Sequence, residues 1–94
     1  MTRLQIAPAA FRAIERLTEF LLEADPHGAI ETGEILISGL SILRNHPLVG
    51  RKVEHGLREL MISRGRSGYV ALYRYDAPSD TALVLAVRHQ REDA

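Results

Sequence analysis

The sequence predicts one α+β domain, in which an N-terminal helical hairpin packs on a small, mostly antiparallel sheet in the order β-α-α-β-β-β. The chain has 94 residues, enough for one domain with a single apolar core. Apolar residues recur at helical spacing in the first half and alternate with a period of two after Leu57. We therefore expect residues 1–94 to form a single domain whose second half supplies most of the sheet.

The first predicted element is a short edge strand over residues 3–7, where Leu4 and Ile6 alternate with other residues. Pro8 ends this strand and suits the first turn of a helix, where its missing N–H costs nothing. The next apolar residues follow at helical spacing: Phe11, Ile14, Leu17 and Leu21. This pattern predicts an amphipathic helix of about four turns.

A break and a second helix come next. The tract Asp25-Pro26-His27-Gly28 should end the first helix, because the residue before a proline disfavours helical geometry. A second helix is predicted from about residue 29 to 44, before Asn45-His46-Pro47. Its apolar stripe contains Ile30, Gly33, Ile37, Leu40 and Leu43, with Leu36 on the flank. So short a connection predicts an antiparallel hairpin, in which Gly33 and Gly39 would allow the helices to approach closely.

Three strands are predicted in the second half, over residues 57–63, 69–75 and 81–88. The turns between them are Arg64-Gly65-Arg66-Ser67-Gly68 and Ala77-Pro78-Ser79-Asp80. The third strand is apolar throughout its middle, which is typical of a central strand buried on both faces. The second strand is also apolar on both faces, although two helices cover only one. Either a partner or the chain's own helices and termini must then cover the other face.

The charge is uneven along the chain although the formal net charge is zero. Residues 51–74 carry six basic and two acidic side chains. Such a segment either forms an ordinary solvated surface or attracts an acidic partner or a phosphate backbone. No signal-peptide core and no run of 18 uncharged apolar residues occurs, so we expect a cytoplasmic protein that does not enter a membrane.

Few classes of enzyme chemistry are suggested by the sequence. It has no cysteine, no nucleophile-elbow, phosphate-loop or dinucleotide-binding motif, and its four histidines lack metal-ligand spacing, so we expect no metal and no cofactor. His89 stands out because it follows Arg88 at the end of the third predicted strand. It would either act as a general acid or base near neutral pH or cap the sheet edge by bonding to the backbone.

Short motifs spread over the C-terminal half resemble those of the RelE/ParE superfamily of toxins from type II toxin–antitoxin systems. In order, they are His46-Pro47-Leu48-Val49-Gly50-Arg51, Leu57-Arg58-Glu59-Leu60, Ser67-Gly68-Tyr69-Val70-Ala71-Leu72-Tyr73-Arg74 and Val84-Leu85-Ala86-Val87-Arg88-His89-Gln90-Arg91-Glu92. The order β-α-α-β-β-β is also that of the superfamily. The resemblance implies a growth-inhibiting toxin of a plasmid stabilisation module, held inactive by a cognate antitoxin within a toxin–antitoxin heterotetramer.

The resemblance implies two different activities. ParE-like members poison DNA gyrase, whereas RelE-like members cleave mRNA on the ribosome without a metal. Glu59 and Met61 stand where the RelE branch has paired lysines, Val70 stands where it has an arginine, and no tyrosine follows His89. We therefore expect a ParE-like gyrase poison that is not an enzyme. A ribosome-dependent mRNA endonuclease and a member that has lost its toxicity are the alternatives.

The candidate site residues form three groups. The acid–base and phosphate-binding set of the nuclease alternative would be His89, Arg88, Arg74 and Glu59. Binding of the target is expected of the basic residues Arg51, Lys52, Arg58, Arg64, Arg66 and Arg91. In the superfamily the C-terminal segment of the antitoxin wraps over the helical hairpin and the sheet. The residues expected to bind it here are Val70, Leu72, Phe11 and Leu36.

Overall fold

A computed structural model of the chain, which describes residues 1–64 and 67–90, has the predicted α+β architecture. The elements are β1 (Arg3–Ile6), α1 (Pro8–Ala24), α2 (Pro26–Ser41), β2 (Arg51–Lys52), β3 (Arg58–Arg64), β4 (Ser67–Asp76) and β5 (Thr81–His89). Short 3-10 turns at Ile42–Arg44 and Glu54–Gly56 lie on either side of β2. The order β-α-α-β-β-β is confirmed, and the two-residue strand β2 is an addition that the sequence did not predict.

The connection between the two helices is shorter than predicted. α1 ends at Ala24, and α2 begins at Pro26, which occupies its first turn. Asp25 is therefore the whole connection, because a proline that cannot continue one helix is well suited to begin the next. At its other end α2 stops at Ser41, and the last predicted turn of the helix is a 3-10 turn.

The five strands form one mixed sheet in the order β1-β5-β4-β3-β2. β1 runs parallel to β5, and the other neighbouring strands are antiparallel. β4 is in the middle of the sheet, and β5 is an inner strand between β1 and β4, as expected. The expectation that β5 is buried on both faces is wrong, because it combines buried residues such as Val84 with half-buried or exposed ones such as Ala86. Both helices lie against one face of the sheet, where their buried residues join those of the strands in one core.

The core lies between the helices and this covered face. Its members are Ala10, Leu36, Leu40, Leu43, Leu60, Ile62, Tyr69, Ala71, Tyr73, Ala82, Val84 and Val87. The predicted helical stripes are partly wrong, because Phe11, Ile30 and Ile37 are exposed. The small residues Ala10 and Ala29 take the buried positions instead. Neither helix is long and apolar enough to cross a bilayer.

Of the two glycines expected to bring the helices together, Gly39 alone marks a close approach, and it brings α2 to the sheet. A Cβ added at Gly39 would lie 2.8 Å from Cγ2 of Ile62 on β3. A Cβ added at Gly33 would meet nothing within 4 Å. The close contact is therefore between helix and strand, and the expected role of Gly33 is wrong.

Candidate functional site

The sheet face that the helices leave uncovered, which we call the open face, brings together side chains from β3, β4 and β5. Cross-strand pairing aligns Glu59 with Leu72 and Met61 with Val70, and it continues from Leu72 to Ala86 and from Val70 to Arg88. Because side chains alternate along a strand, these residues point away from the core residues beside them. Val70 is only 7% exposed, yet it is not part of the core cluster.

Glu59 is the centre of an ion-pair network on the open face. Its Oε1 accepts a hydrogen bond of 2.6 Å from Nη2 of Arg51 on β2. Its Oε2 lies 3.6 Å from Nη2 of Arg88 on β5. Two of the four residues of the expected nuclease set, Glu59 and Arg88, are thus neighbours, although they lie on strands far apart in sequence.

Of the other two residues of that set, one lies on the opposite side of the sheet and one lies farther along the open face. His89 follows Arg88 on the same strand and therefore points to the opposite side of the sheet. Its ring stands edge-on to the ring of the core residue Tyr69, with centroids 5.2 Å apart. Arg74 is exposed on β4 and lies on the open face, two residues from Leu72, which pairs with Glu59. It is four residues, or about 13 Å along the strand, from Val70, which pairs with Arg88.

The basic residues expected to bind a target have different surroundings. Arg51 is bound to Glu59, but its side chain is 80% exposed, and Lys52 beside it is exposed as well. Arg58 instead points to the neighbouring loop and donates from Nη1 to the carbonyl oxygens of Leu48 and Gly50, at 3.0 and 2.9 Å. The side chain of Arg64 and the whole of Arg66 and Arg91 lie outside the described residues.

The loop of residues 47–50 was not predicted as a functional element. The buried hydroxyl of Tyr73 donates to the carbonyl of Pro47 at 2.8 Å and accepts from the N–H of Gly50 at 2.9 Å. A Cβ at Gly50 would lie 2.6 Å from Cε1 of Tyr73, so this approach requires glycine. The loop presents the exposed side chains of Leu48 and Val49 to solvent. Two consecutive apolar residues between Pro47 and Gly50 were the available signal in the sequence.

The residues expected to bind an antitoxin divide between surface and core. Val70 and Leu72 lie on the open face, and Phe11 is exposed on α1. Leu36, in contrast, is 1% exposed and packs in the core. The hairpin also exposes apolar residues that the sequence placed in its stripes or passed over: Phe20, Leu22, Ile30 and Ile37.

A polar cluster at one end of the sheet ties the N-terminus to the turn between β4 and β5. Oδ1 of Asp80 accepts hydrogen bonds from the hydroxyls of Thr2, at 2.7 Å, and Tyr75, at 2.8 Å. These two bonds, that of Thr2 first, hold the pKa of Asp80 below its usual value. The bond to Asp80 in turn raises the pKa of Tyr75. Within residues 1–64 and 67–90, no three acidic or histidine side chains are grouped as metal ligands.

A helical hairpin on one face of a mixed five-stranded sheet, with the other face partly apolar and bare, is the architecture of a small toxin of the RelE/ParE superfamily. Residues 4–94 match the family described as the ParE toxin of the type II toxin–antitoxin system parDE, and the chain belongs to this family. It is therefore a toxin of a type II toxin–antitoxin system.

Individual relatives come from both branches of the superfamily. The chain is 30% identical over 92 residues to Toxin RelE3 of Caulobacter vibrioides, and the match covers 98% of each chain. Its fold is similar to that in the chromosomal ParDE toxin–antitoxin system of P. aeruginosa, with a TM-score of 0.77, 17% identity, and 95% and 96% of the two chains covered. It is also similar to that in the RelBE2 toxin–antitoxin complex of Mycobacterium tuberculosis, with a TM-score of 0.61, 24% identity, and 95% and 98% covered.

Proposed function

We propose that this toxin arrests growth by poisoning DNA gyrase, without catalysing a reaction itself, and that a cognate antitoxin neutralises it. The observation that carries the choice of target is the division of the expected nuclease set between the two sides of the sheet. His89 stands beside Tyr69 on the covered side, whereas Glu59 and Arg88 are paired on the open face.

Metal-free cleavage of RNA requires a more compact arrangement. A base must reach the 2′-hydroxyl while cations reach the phosphate of the same nucleotide, all within hydrogen-bond distance. Here the carboxylate of Glu59 is already engaged by Arg51 and lies beside Arg88. Arg74 is about 13 Å along β4 from the residue paired with Arg88. This distribution favours a binding surface over a catalytic centre.

The open face is suited to an antitoxin segment. Leu72 is half-buried at its middle and Phe11 is exposed on the hairpin, whereas Val70, at 7% exposed, adds little accessible surface. An amphipathic segment that covered these residues would remove apolar surface from water, at about 25 cal/mol per Å². The solved relatives are toxin–antitoxin complexes, which supports such a partner. A heterotetramer of two toxins and two antitoxins, acting in the cytoplasm to stabilise a plasmid, is the assembly and role that we propose.

A ribosome-dependent mRNA endonuclease is the second candidate. It is favoured by the similarity over 92 residues to a relative named RelE3, and by the presence of one acid between two arginines on the open face. In this alternative Glu59 would accept the proton of the 2′-hydroxyl, and Arg88 would bind the phosphate.

The two candidates are separated by inducing the toxin alone in bacteria and following three quantities: plasmid supercoiling, gyrase–DNA cleavage complexes and primer extension on translated mRNA. We expect cleavage complexes and intact mRNA. The variants Glu59→Gln and His89→Ala should arrest growth like the unmodified toxin, because neither residue contacts gyrase in our proposal.

The control is co-expression of the cognate antitoxin, which we expect to be encoded beside the toxin and which should restore growth. Cuts at defined codon positions that disappear in Glu59→Gln or His89→Ala would establish the nuclease instead. Harmless induction of a folded toxin would contradict both candidates and leave a family member that has lost its toxicity.

A further inference from the structure

The loop of residues 47–50 exposes two consecutive aliphatic side chains. Leu48 is 57% exposed and Val49 is 55% exposed. Single apolar residues on a protein surface are common, but an adjacent pair at the tip of one loop forms a small protruding apolar surface. The loop leads directly into β2, where Arg51 and Lys52 are exposed as well. An apolar tip and two cations are therefore next to one another.

This loop is held in place by side chains from two strands. Tyr73, which is fully buried, binds the backbone of Pro47 and Gly50 through its hydroxyl. Arg58, on β3, donates to the carbonyl oxygens of Leu48 and Gly50. A further backbone bond joins the N–H of Val49 to the carbonyl of His46. A loop fixed in this way loses little conformational freedom on binding, which is a general source of affinity.

The chemistry of this surface fits a protein partner. Leu48 and Val49 offer no planar group for stacking on bases, which is how single-stranded nucleic acids are usually held. A shallow apolar pocket with an acidic rim would instead receive the two side chains and pair with the adjacent cations. A protruding tip of this size also differs from the open face, which is broad and suits a wrapping segment.

We propose that residues 47–50, with Arg51 and Lys52, form the surface by which the toxin grips its protein target, separate from the surface that binds the antitoxin. Arg58 and Tyr73 are positioning residues for this loop. The proposal rests on the proposed function, because it takes the target to be a protein. It adds that the contacted surface of this protein is acidic and partly apolar.

The decisive variant is Leu48→Ser with Val49→Ser. Its matched control is Ile30→Ser with Ile37→Ser, which replaces two exposed apolar residues on α2. We expect the loop variant to need at least tenfold more toxin for the same growth arrest and for the same yield of gyrase cleavage complexes, since each buried aliphatic side chain contributes enough for such a factor. Its affinity for the antitoxin, measured by titration calorimetry, should stay within twofold, which also shows that it is folded. The control should arrest growth like the unmodified toxin.

The positioning role is tested at Arg58. Arg58→Met removes the two bonds to the loop, and we expect a severalfold loss of toxicity at unchanged antitoxin affinity. Arg58→Lys should restore most of it, because an ammonium group can donate to both carbonyls. A merely structural role would lower the melting temperature and the antitoxin affinity together with the toxicity.

Two outcomes would overturn the proposal. Growth arrest by the loop variant at unmodified levels would exclude this surface from target binding. Loss of antitoxin affinity at an unchanged melting temperature would assign the loop to the antitoxin. If the unmodified toxin arrests growth without cleavage complexes, gyrase is the wrong target, and the growth assay still decides whether the loop is needed.

Discussion

The two faces of the sheet are built from the same strands, but one forms the core under the helices and the helices leave the other uncovered. On the covered face, Leu60, Tyr73 and Val84 are buried under the helices. The hydroxyl of Tyr73, a fully buried residue, makes two hydrogen bonds to the backbone. On the open face, apolar side chains such as Leu72 lie beside the ion pair of Glu59 and Arg88.

This difference shows how one short chain encodes both a fold and a binding surface. Alternating residues of β3 and β4 contribute to the core, where loss of packing is costly. In β5 a register shift interrupts the alternation, and the core residues are Ala82, Val84 and Val87. The residues between them contribute little to the core and are available to a partner. The same substitution should therefore cost much stability and little binding on the covered side. On the open face it should cost little stability and much binding.

Replacing the same residue type on each side gives the largest expected contrast. Leu36→Ala removes a fully buried side chain from the core and should lower the free energy of unfolding by about 2–5 kcal/mol. Leu72→Ala, on the half-buried open face, should cost about 1 kcal/mol or less. Urea unfolding of the two variants measures both values.

Binding should show the reverse order. Leu72→Ala is expected to weaken antitoxin binding by about tenfold, whereas Leu36→Ala should leave the affinity of the folded fraction unchanged. Equal unfolding costs for the two variants would mean that the open face is as tightly packed as the core. A large binding defect for folded Leu36→Ala would mean that the hairpin opens when the antitoxin binds.

The fold could be predicted from the sequence because distinctive residues and patterns mark where its helices and strands begin. Pro8 and Pro26 each begin a helix, and the change of period after Leu57 marks the start of the sheet. The faces of the helices were less predictable. The hairpin has more large apolar residues than it can bury against the sheet. The small residues Ala10 and Ala29 occupy tightly packed positions, and larger ones such as Ile37 remain exposed.

For the candidate site, the sequence predicts which face of its own strand a side chain occupies, but not which side chains of other strands lie beside it. That Arg88 and His89 point to opposite sides follows from the alternation of β-strands, and this signal was available in the sequence. That Glu59 lies beside Arg88 depends on the register of β4 with both neighbours. The hydroxyl of Tyr73 reaches Gly50 from 23 residues away, a contact that no local pattern indicates.

Two glycines of α2, Gly33 and Gly39, give a contrast of intermediate size between the covered side and solvent. Gly33→Ala adds a methyl group in open space and should stabilise the protein by up to about 1 kcal/mol through helix propensity. Gly39→Ala places a Cβ against Ile62, and the crowding, about 1–3 kcal/mol, should offset or exceed the same gain. Thermal unfolding of each variant gives the sign.

A double variant, Gly39→Ala with Ile62→Ala, compared with Ile62→Ala alone, serves as the control, because removal of Cγ1 and Cγ2 of Ile62 should relieve the crowding. If Gly39→Ala stabilised the protein as much as Gly33→Ala, the helix would not be packed tightly on β3. The covered face would then be looser than its burial indicates.

The smallest effect is expected at the end of the sheet, where Asp80 belongs to neither face. Its pKa is lowered by the hydroxyl bonds of Thr2 and Tyr75, so the folded state favours the carboxylate. The stabilisation is therefore present above the ordinary pKa of an aspartate, about 4, and is lost as the pH falls through the lowered value. The raised pKa of Tyr75 acts in the opposite direction, because the folded state favours the protonated hydroxyl. The stabilisation from this hydroxyl is lost as the pH rises above about 10.

Unfolding of the unmodified toxin and of Asp80→Asn should accordingly differ by a small, constant amount between about pH 5 and 9, and the difference should shrink below about pH 4. Tyr75→Phe should give a smaller difference, because the bond from Thr2, the larger cause of the lowered pKa, remains. A difference that persists unchanged down to pH 2.5, or grows there, would mean that Asp80 holds the N-terminus by its shape rather than its charge. The tie between β1 and the turn would then resemble the uncharged packing of the covered face.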